Sequence, residues 1–190
     1  MELLTGIFSA FGLSASAGLN AYIPLLAIGV LDHYTNLLNL QKPWDTLSNP
    51  WILILLGILL IIEMLADKIP TVNHVNDLIQ TVVRPAAGAV AFAASANVIT
   101  DVNPVLALAL GLFVAGGVHA TKSVVVRPAV TATTGGAANM PVSVAEDVAA
   151  TGVSLLAIVL PLAAGTLLIV AAALFIWWWW NRSNKKSPAA

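Results

Sequence analysis

The 190-residue chain is 59% hydrophobic and only 9% charged, against about 25% charged in an ordinary soluble domain, which excludes water as its main solvent. Its formal net charge of −1 gives no footing for nucleic acid, and the absence of cysteine excludes disulfides, thiolate metal sites and thiol catalysis.

A bilayer crossing needs about 20 apolar residues, and six stretches qualify, at about 3–31, 50–67, 80–100, 104–121, 142–160 and 162–180. The expected fold is all-α: a polytopic transmembrane helix bundle over residues 1–181, then a basic cytoplasmic tail, 182–190. The first stretch holds a small-residue run, Ser14-Ala15-Ser16-Ala17, as a secretory leader would. Glu2, however, stands where a leader needs positive charge, so the segment reads as the first membrane helix. The last two stretches form one apolar run interrupted by Pro161, which predicts a tight turn or a strong kink. Five spans with a bent last helix is the alternative to six.

Six spans with both termini in the cytoplasm place Lys68, Arg84, Lys122, Arg127, Arg182, Lys185 and Lys186 inside and Lys42 outside. That is the asymmetry of the positive-inside rule. The run Trp177 to Trp180 followed by Arg182 reads as an aromatic belt leading into a basic anchor. Residues 49–68 and 103–122 align at constant offset, pairing Asn49-Pro50 with Asn103-Pro104 and Lys68 with Lys122, and Val-Arg-Pro recurs at Val83-Arg84-Pro85 and Val126-Arg127-Pro128. Hairpin repeats of common orientation would produce such a pattern.

Ionisable groups inside a membrane cost a few kcal/mol each. Glu63 and Asp67 stand four apart and therefore share one helix face. Glu63 follows Pro50 by thirteen residues, roughly 20 Å at the helical rise, which places it within the inner part of the hydrocarbon. An acid there suits a cation or a transferable proton; equally, it suits a basic partner on another helix. His119 and Lys122 share a face at similar depth. Glu146 and Asp147 are expected in the first turn of the fifth span, where the helix dipole favours acids. Glu63, Asp67, Glu146 and Asp147 thus face Lys68, Arg84, Lys122 and Arg127 in one slab. A salt-bridged collar and a polar cavity leading to Glu63 are both consistent with that balance.

In the first span, Pro24 removes the helical partner of the Asn20 carbonyl, offering a backbone oxygen beside a side-chain amide near mid-membrane. Close packing of small residues with a proline kink is the plainer account. The polar segment from Lys122 to Pro141 is too long for a tight turn and reads as a cytoplasmic loop, with a re-entrant loop as the alternative. No Gly-x-x-x-x-Gly-Lys-Ser/Thr, His-Glu-x-x-His or Gly-x-Ser-x-Gly occurs, so nothing signals a nucleotide-driven pump or a familiar intramembrane hydrolase.

Glu63-Met64-Leu65-Ala66-Asp67-Lys68-Ile69-Pro70, Arg84-Pro85-Ala86-Ala87-Gly88-Ala89, His119-Ala120-Thr121-Lys122, Arg127 and Ser143-Val144-Ala145-Glu146-Asp147 together resemble the domain-of-unknown-function family 4126 over nearly the whole chain. The resemblance implies a small multi-pass protein of a bacterial inner membrane and carries no activity with it. Three functions fit the residues. The leading one is a small transporter or channel-like protein for a cation or small solute, coupled to protons through Glu63, with Asp67, Asn20, His119 and Lys122 at the site. The second is an enzyme acting on a lipid phosphate, with carboxylates holding Mg²⁺ and arginines gripping phosphate. The third is a structural or assembly subunit. No cofactor is called for, no catalytic residue is assigned, and the expected partners are the lipid bilayer, a small solute or ion, and further copies of the chain in a homo-oligomer.

Overall fold

The computed structural model describes residues 2–67, 70–97 and 103–184. All regular structure among them is helical: α1 (Glu2–Leu19), α2 (Tyr22–Tyr34), α3 (Pro50–Ala66), α4 (Pro70–Asn97), α5 (Pro104–Thr121), α6 (Arg127–Thr134), α7 (Asn139–Val159) and α8 (Pro161–Asn184). A 3-10 turn, Trp44–Ser48, precedes α3, and a π-helical stretch, Lys122–Val126, joins α5 to α6. Asn76–Ala96, Pro104–Thr134, Asn139–Val159 and Pro161–Arg182 are long and apolar enough to cross a membrane, and Leu4–Leu19 and Pro50–Ala66 are shorter apolar helices. The protein is a multi-pass helical membrane protein.

Local chemistry sets the helix starts. Asn49 and Asn103 each precede a proline, and their side-chain oxygens accept from Trp51 N at 2.9 Å and from Val105 N at 2.9 Å. Each satisfies a backbone donor that the first helical turn leaves open. The two aligned segments of the sequence are thus capped alike. Between α7 and α8 the chain breaks at Leu160 alone, so the run expected as two spans or one bent helix is two helices.

The first span is not one helix. It breaks at Asn20, whose side-chain oxygen accepts from Tyr22 N at 3.1 Å and Ile23 N at 3.2 Å, starting α2 afresh. Contacts fix the directions. Asn20 meets Asp147, Ser16 meets Ala150 and Ser154, and Gly12 meets Ala157, so α1 runs antiparallel to α7. Gly29 of α2 abuts Leu47 and Leu53, beside the start of α3, while Tyr22 lies within electrostatic range of Glu63 near its end. Accordingly α2 runs antiparallel to α3, and α1 and α2 form a hairpin with Asn20 at its tip. This corrects the single span at 3–31. Leu4 stands at the end of the bundle where α7 passes into α8, and Asn181 lies toward the opposite end.

Small residues build the centre. Gly12 to Gly18 are buried in succession, so α1 is enclosed on all faces, as a central helix must be. A Cβ added at Gly88 of α4 would come 2.2 Å from the Ala115 side chain, and one at Gly111 would come 2.4 Å from the Gly88 carbonyl. Such contact lets α4 and α5 approach backbone to backbone, the packing that drives helix association in lipid. Ser14 Oγ adds a 2.8 Å bond to the Gly111 carbonyl.

Candidate functional site

Five helical segments converge on a buried ionic network. Glu63 and Asp67 face it from the end of α3, as their spacing of four predicts. Arg84 reaches it from the middle of α4, which begins at Pro70 and not near residue 80, and is completely buried. Its Nε and Nη2 donate to Glu63 Oε1 at 3.1 and 2.9 Å, and Nη2 lies 3.5 Å from Asp67 Oδ2. The Arg84–Glu63 pair has side chains 0% and 1% exposed, so water contributes nothing to its solvation and pairing must do so.

Asp67 is the hub. Its Oδ1 accepts from Asn76 Nδ2 at 2.7 Å; its Oδ2 accepts from Arg127 Nη2 at 3.0 Å and Ser143 Oγ at 3.3 Å and lies 3.6 Å from Lys122 Nζ. Lys122 in turn pairs with Glu146 at 2.7 Å, and Arg127 with Asp77 at 3.1 Å. Residues five apart in a regular α-helix diverge by roughly 140°, which would aim Lys122 and Arg127 in different directions. The π stretch between them restores a common face, and Pro128 accounts for its position, since it cannot donate to the carbonyl four residues back. The segment expected as a loop is therefore helix up to Thr134, closing at Gly135 in the left-handed region (φ +63°).

His119 sits against the same cluster. Its Nδ1 is 3.3 Å from Arg84 Nη1 and its Nε2 3.3 Å from Thr81 Oγ1. A guanidinium only donates, so Nδ1 is the acceptor, the ring proton is on Nε2, and Thr81 Oγ1 receives it. The hairpin tip closes the network. Asn20 Nδ2 donates to Asp147 Oδ1 at 3.0 Å, and Lys122 Nζ donates to the Leu19 carbonyl at 3.2 Å. That carbonyl is free because Ile23 N, its helical partner, is bonded to the Asn20 side chain. The carbonyl that the ionic network uses is therefore that of Leu19.

Glu146 and Asp147 lie in the third turn of α7, which starts at Asn139, so the helix dipole does not explain them. Glu146 pairs with Lys122, and Asp147 holds the hairpin tip. Lys68, Lys185, Lys186 and residues 98–100 lie outside the described residues. The network also holds Asn76, Asp77, Gln80 and Thr81, which the sequence reading does not single out, and Ser143, which it names only within the family block. Asn76, Gln80 and Arg84 follow one another at helical spacing, a signal that a helix starting at Pro70 makes visible.

Glu63 Oε2 and Gln80 Oε1 are buried acceptors without a hydrogen-bond partner among the described residues. Gln80 stands one turn from both Asn76 and Arg84, on the α4 face that meets α3 between Asp67 and Glu63. No group of three His, Asp or Glu side chains is gathered for a metal ion among the described residues.

The family Domain of unknown function (DUF4126) matches residues 7–181, including every residue of this network. The chain belongs to that family. No curated protein and no solved structure matches it. What the network means for the family must accordingly be read from its chemistry.

Proposed function

We propose that this family member is a small transporter or channel-like protein for a cation or small solute, proton-coupled through Glu63, set in the cell (inner) membrane with its ionic network toward the cytoplasm. The observation that carries this reading is the Glu63 carboxylate: one oxygen is held by Arg84, and the other is buried without a hydrogen-bond partner among the described residues. A buried acceptor left open costs about 1–3 kcal/mol, and a structural ion pair gains nothing from it. A group that takes up and releases a proton or cation uses that second oxygen. The broken helix at Asn20 and the π stretch at Lys122 add the irregular backbone beside polar groups that transport sites employ. The orientation rests on Arg84, Lys122, Arg127 and Arg182 belonging to the network half of the bundle.

The test is proton and divalent-cation flux into proteoliposomes, comparing the intact protein with Glu63→Gln. Flux that vanishes in a normally folded mutant supports the reading; full flux in the mutant refutes it.

One observation favours a structural subunit instead, namely that Arg84, Lys122 and Arg127 are all engaged by carboxylates. That reading predicts that Glu63→Arg combined with Arg84→Glu retains function, whereas a coupling site loses it. The lipid-phosphate enzyme would need those same arginines and carboxylates unpaired.

A further inference from the structure

Only the first two turns of α8 are packed into the bundle. Ala164 and Gly165 are buried, and a Cβ at Gly165 would come 2.2 Å from the Phe8 ring. From Ile169 to Arg182 every residue of α8 is exposed. The helix stands off from α5 and α7 and leaves a cavity of about 720 Å³, walled by apolar and small residues such as Val114, Gly117, Ala149, Leu168 and Phe175. A second cavity of about 400 Å³ prolongs it toward Phe8 and Gly165. From Gly165 to Phe175 the groove follows α8 for about 15 Å, the depth of one bilayer leaflet's hydrocarbon.

At its network end the groove is lined by Lys122 and Glu146, whose charged atoms are 2.7 Å apart, with Thr121 beside them. They are its only charged lining residues among those described. A purely anionic head would meet Glu146 unfavourably, and a purely cationic one would meet Lys122. A head carrying both signs complements the pair, phosphate to Lys122 and ammonium to Glu146.

We propose that the groove between α5, α7 and α8 is a binding site for one membrane phospholipid with a zwitterionic phosphate–ammonium headgroup, its acyl chain lying along α8 and its head on Lys122 and Glu146. The site does not depend on Glu63 or on transport.

Gly117 supplies a clean test, because a Cβ there meets nothing within 4 Å. In Gly117→Leu the new side chain grows into the groove without displacing backbone. Gly57 on α3 is equally open but lies away from the groove, so Gly57→Leu is the control. The full-length protein in mild detergent is offered phosphatidylethanolamine or phosphatidylglycerol of the same chains, and retained lipid is counted by native mass spectrometry. We expect one phosphatidylethanolamine per chain, held about tenfold better than phosphatidylglycerol, the margin of one charge-assisted contact. Gly117→Leu should lose it while melting at the lipid-free temperature of the intact protein; Gly57→Leu should keep it; Glu146→Gln should erase the preference. Equal retention of both lipids, or full retention in Gly117→Leu, overturns the proposal. So does a dimer that Gly117→Leu converts to monomer, which would assign the groove to a second copy of the chain.

Discussion

Taking away the Arg84 guanidinium leaves Glu63 buried with no cation against it and weakens the charge balance at Asp67. Removing one partner from a buried ion pair costs about 3–5 kcal/mol, whereas removing both is often neutral. Arg84→Met should therefore lower the thermal unfolding temperature in detergent sharply, and Arg84→Met with Glu63→Leu should recover most of the loss; an unchanged melting temperature in the single mutant would show that the pair does not stabilise the fold. At this scale much of the site was legible beforehand. Glu63, Asp67, His119 and Lys122 are conspicuous because charge is expensive in an apolar helix, and their spacings of four and three already assign shared faces. Asn76, Asp77, Gln80 and Thr81 are inconspicuous for the opposite reason. They lie in a polar stretch that reads as a connection until its helix is seen to begin at Pro70.

Elements follow from breaks more than from runs of apolar residues. Asn-Pro starts were readable because the cap is a local interaction between a side chain and the next two or three residues. The break at Asn20 was only half readable: Pro24 marked the region, yet Pro24 sits in the first turn of α2, where its missing N–H costs nothing. The Asn20 side chain makes the break, holding two backbone donors and Asp147 together. Asn20→Ala should cost about 1 kcal/mol for the lost cap and more for the Asp147 oxygen it deserts, visible as a lower melting temperature; Asn20→Asp, which caps but repels Asp147, should fare no better. Packing offers a sharper contrast. Gly88→Leu drives a side chain into Ala115 and Gly111 and should abolish the folded, monodisperse protein, while the same change at Gly57 should leave its yield intact. Glycine content shows in the sequence; which glycine sits at a crossing depends on distant partners, such as Gly111 for Gly88 and Ala157 for Gly12.

For the whole molecule, the residues' hydrophobicity announced a helical membrane bundle but not its handling of sides. Two residues, Asn20 and Ala21, reverse the chain inside an otherwise unbroken apolar stretch, and no composition measure registers a reversal that short. Because the chain has no cysteine, single substitutions can report the outcome: Leu4→Cys and Asn36→Cys should be labelled by an impermeant maleimide from one side of the membrane, and Thr134→Cys from the other. Labelling of Leu4→Cys together with Thr134→Cys would restore the even-numbered topology. The central position of α1 also bears on biogenesis. Its polar groups find their partners 97 to 138 residues later in the chain, in α5 and α7. Synthesis runs from the N-terminus, so the hairpin must enter lipid with Ser14, Ser16 and Asn20 waiting. A nascent chain stalled before α7 would hold those groups open in the bilayer, and completion of the C-terminal helices becomes the step that commits the first-made segment to its place.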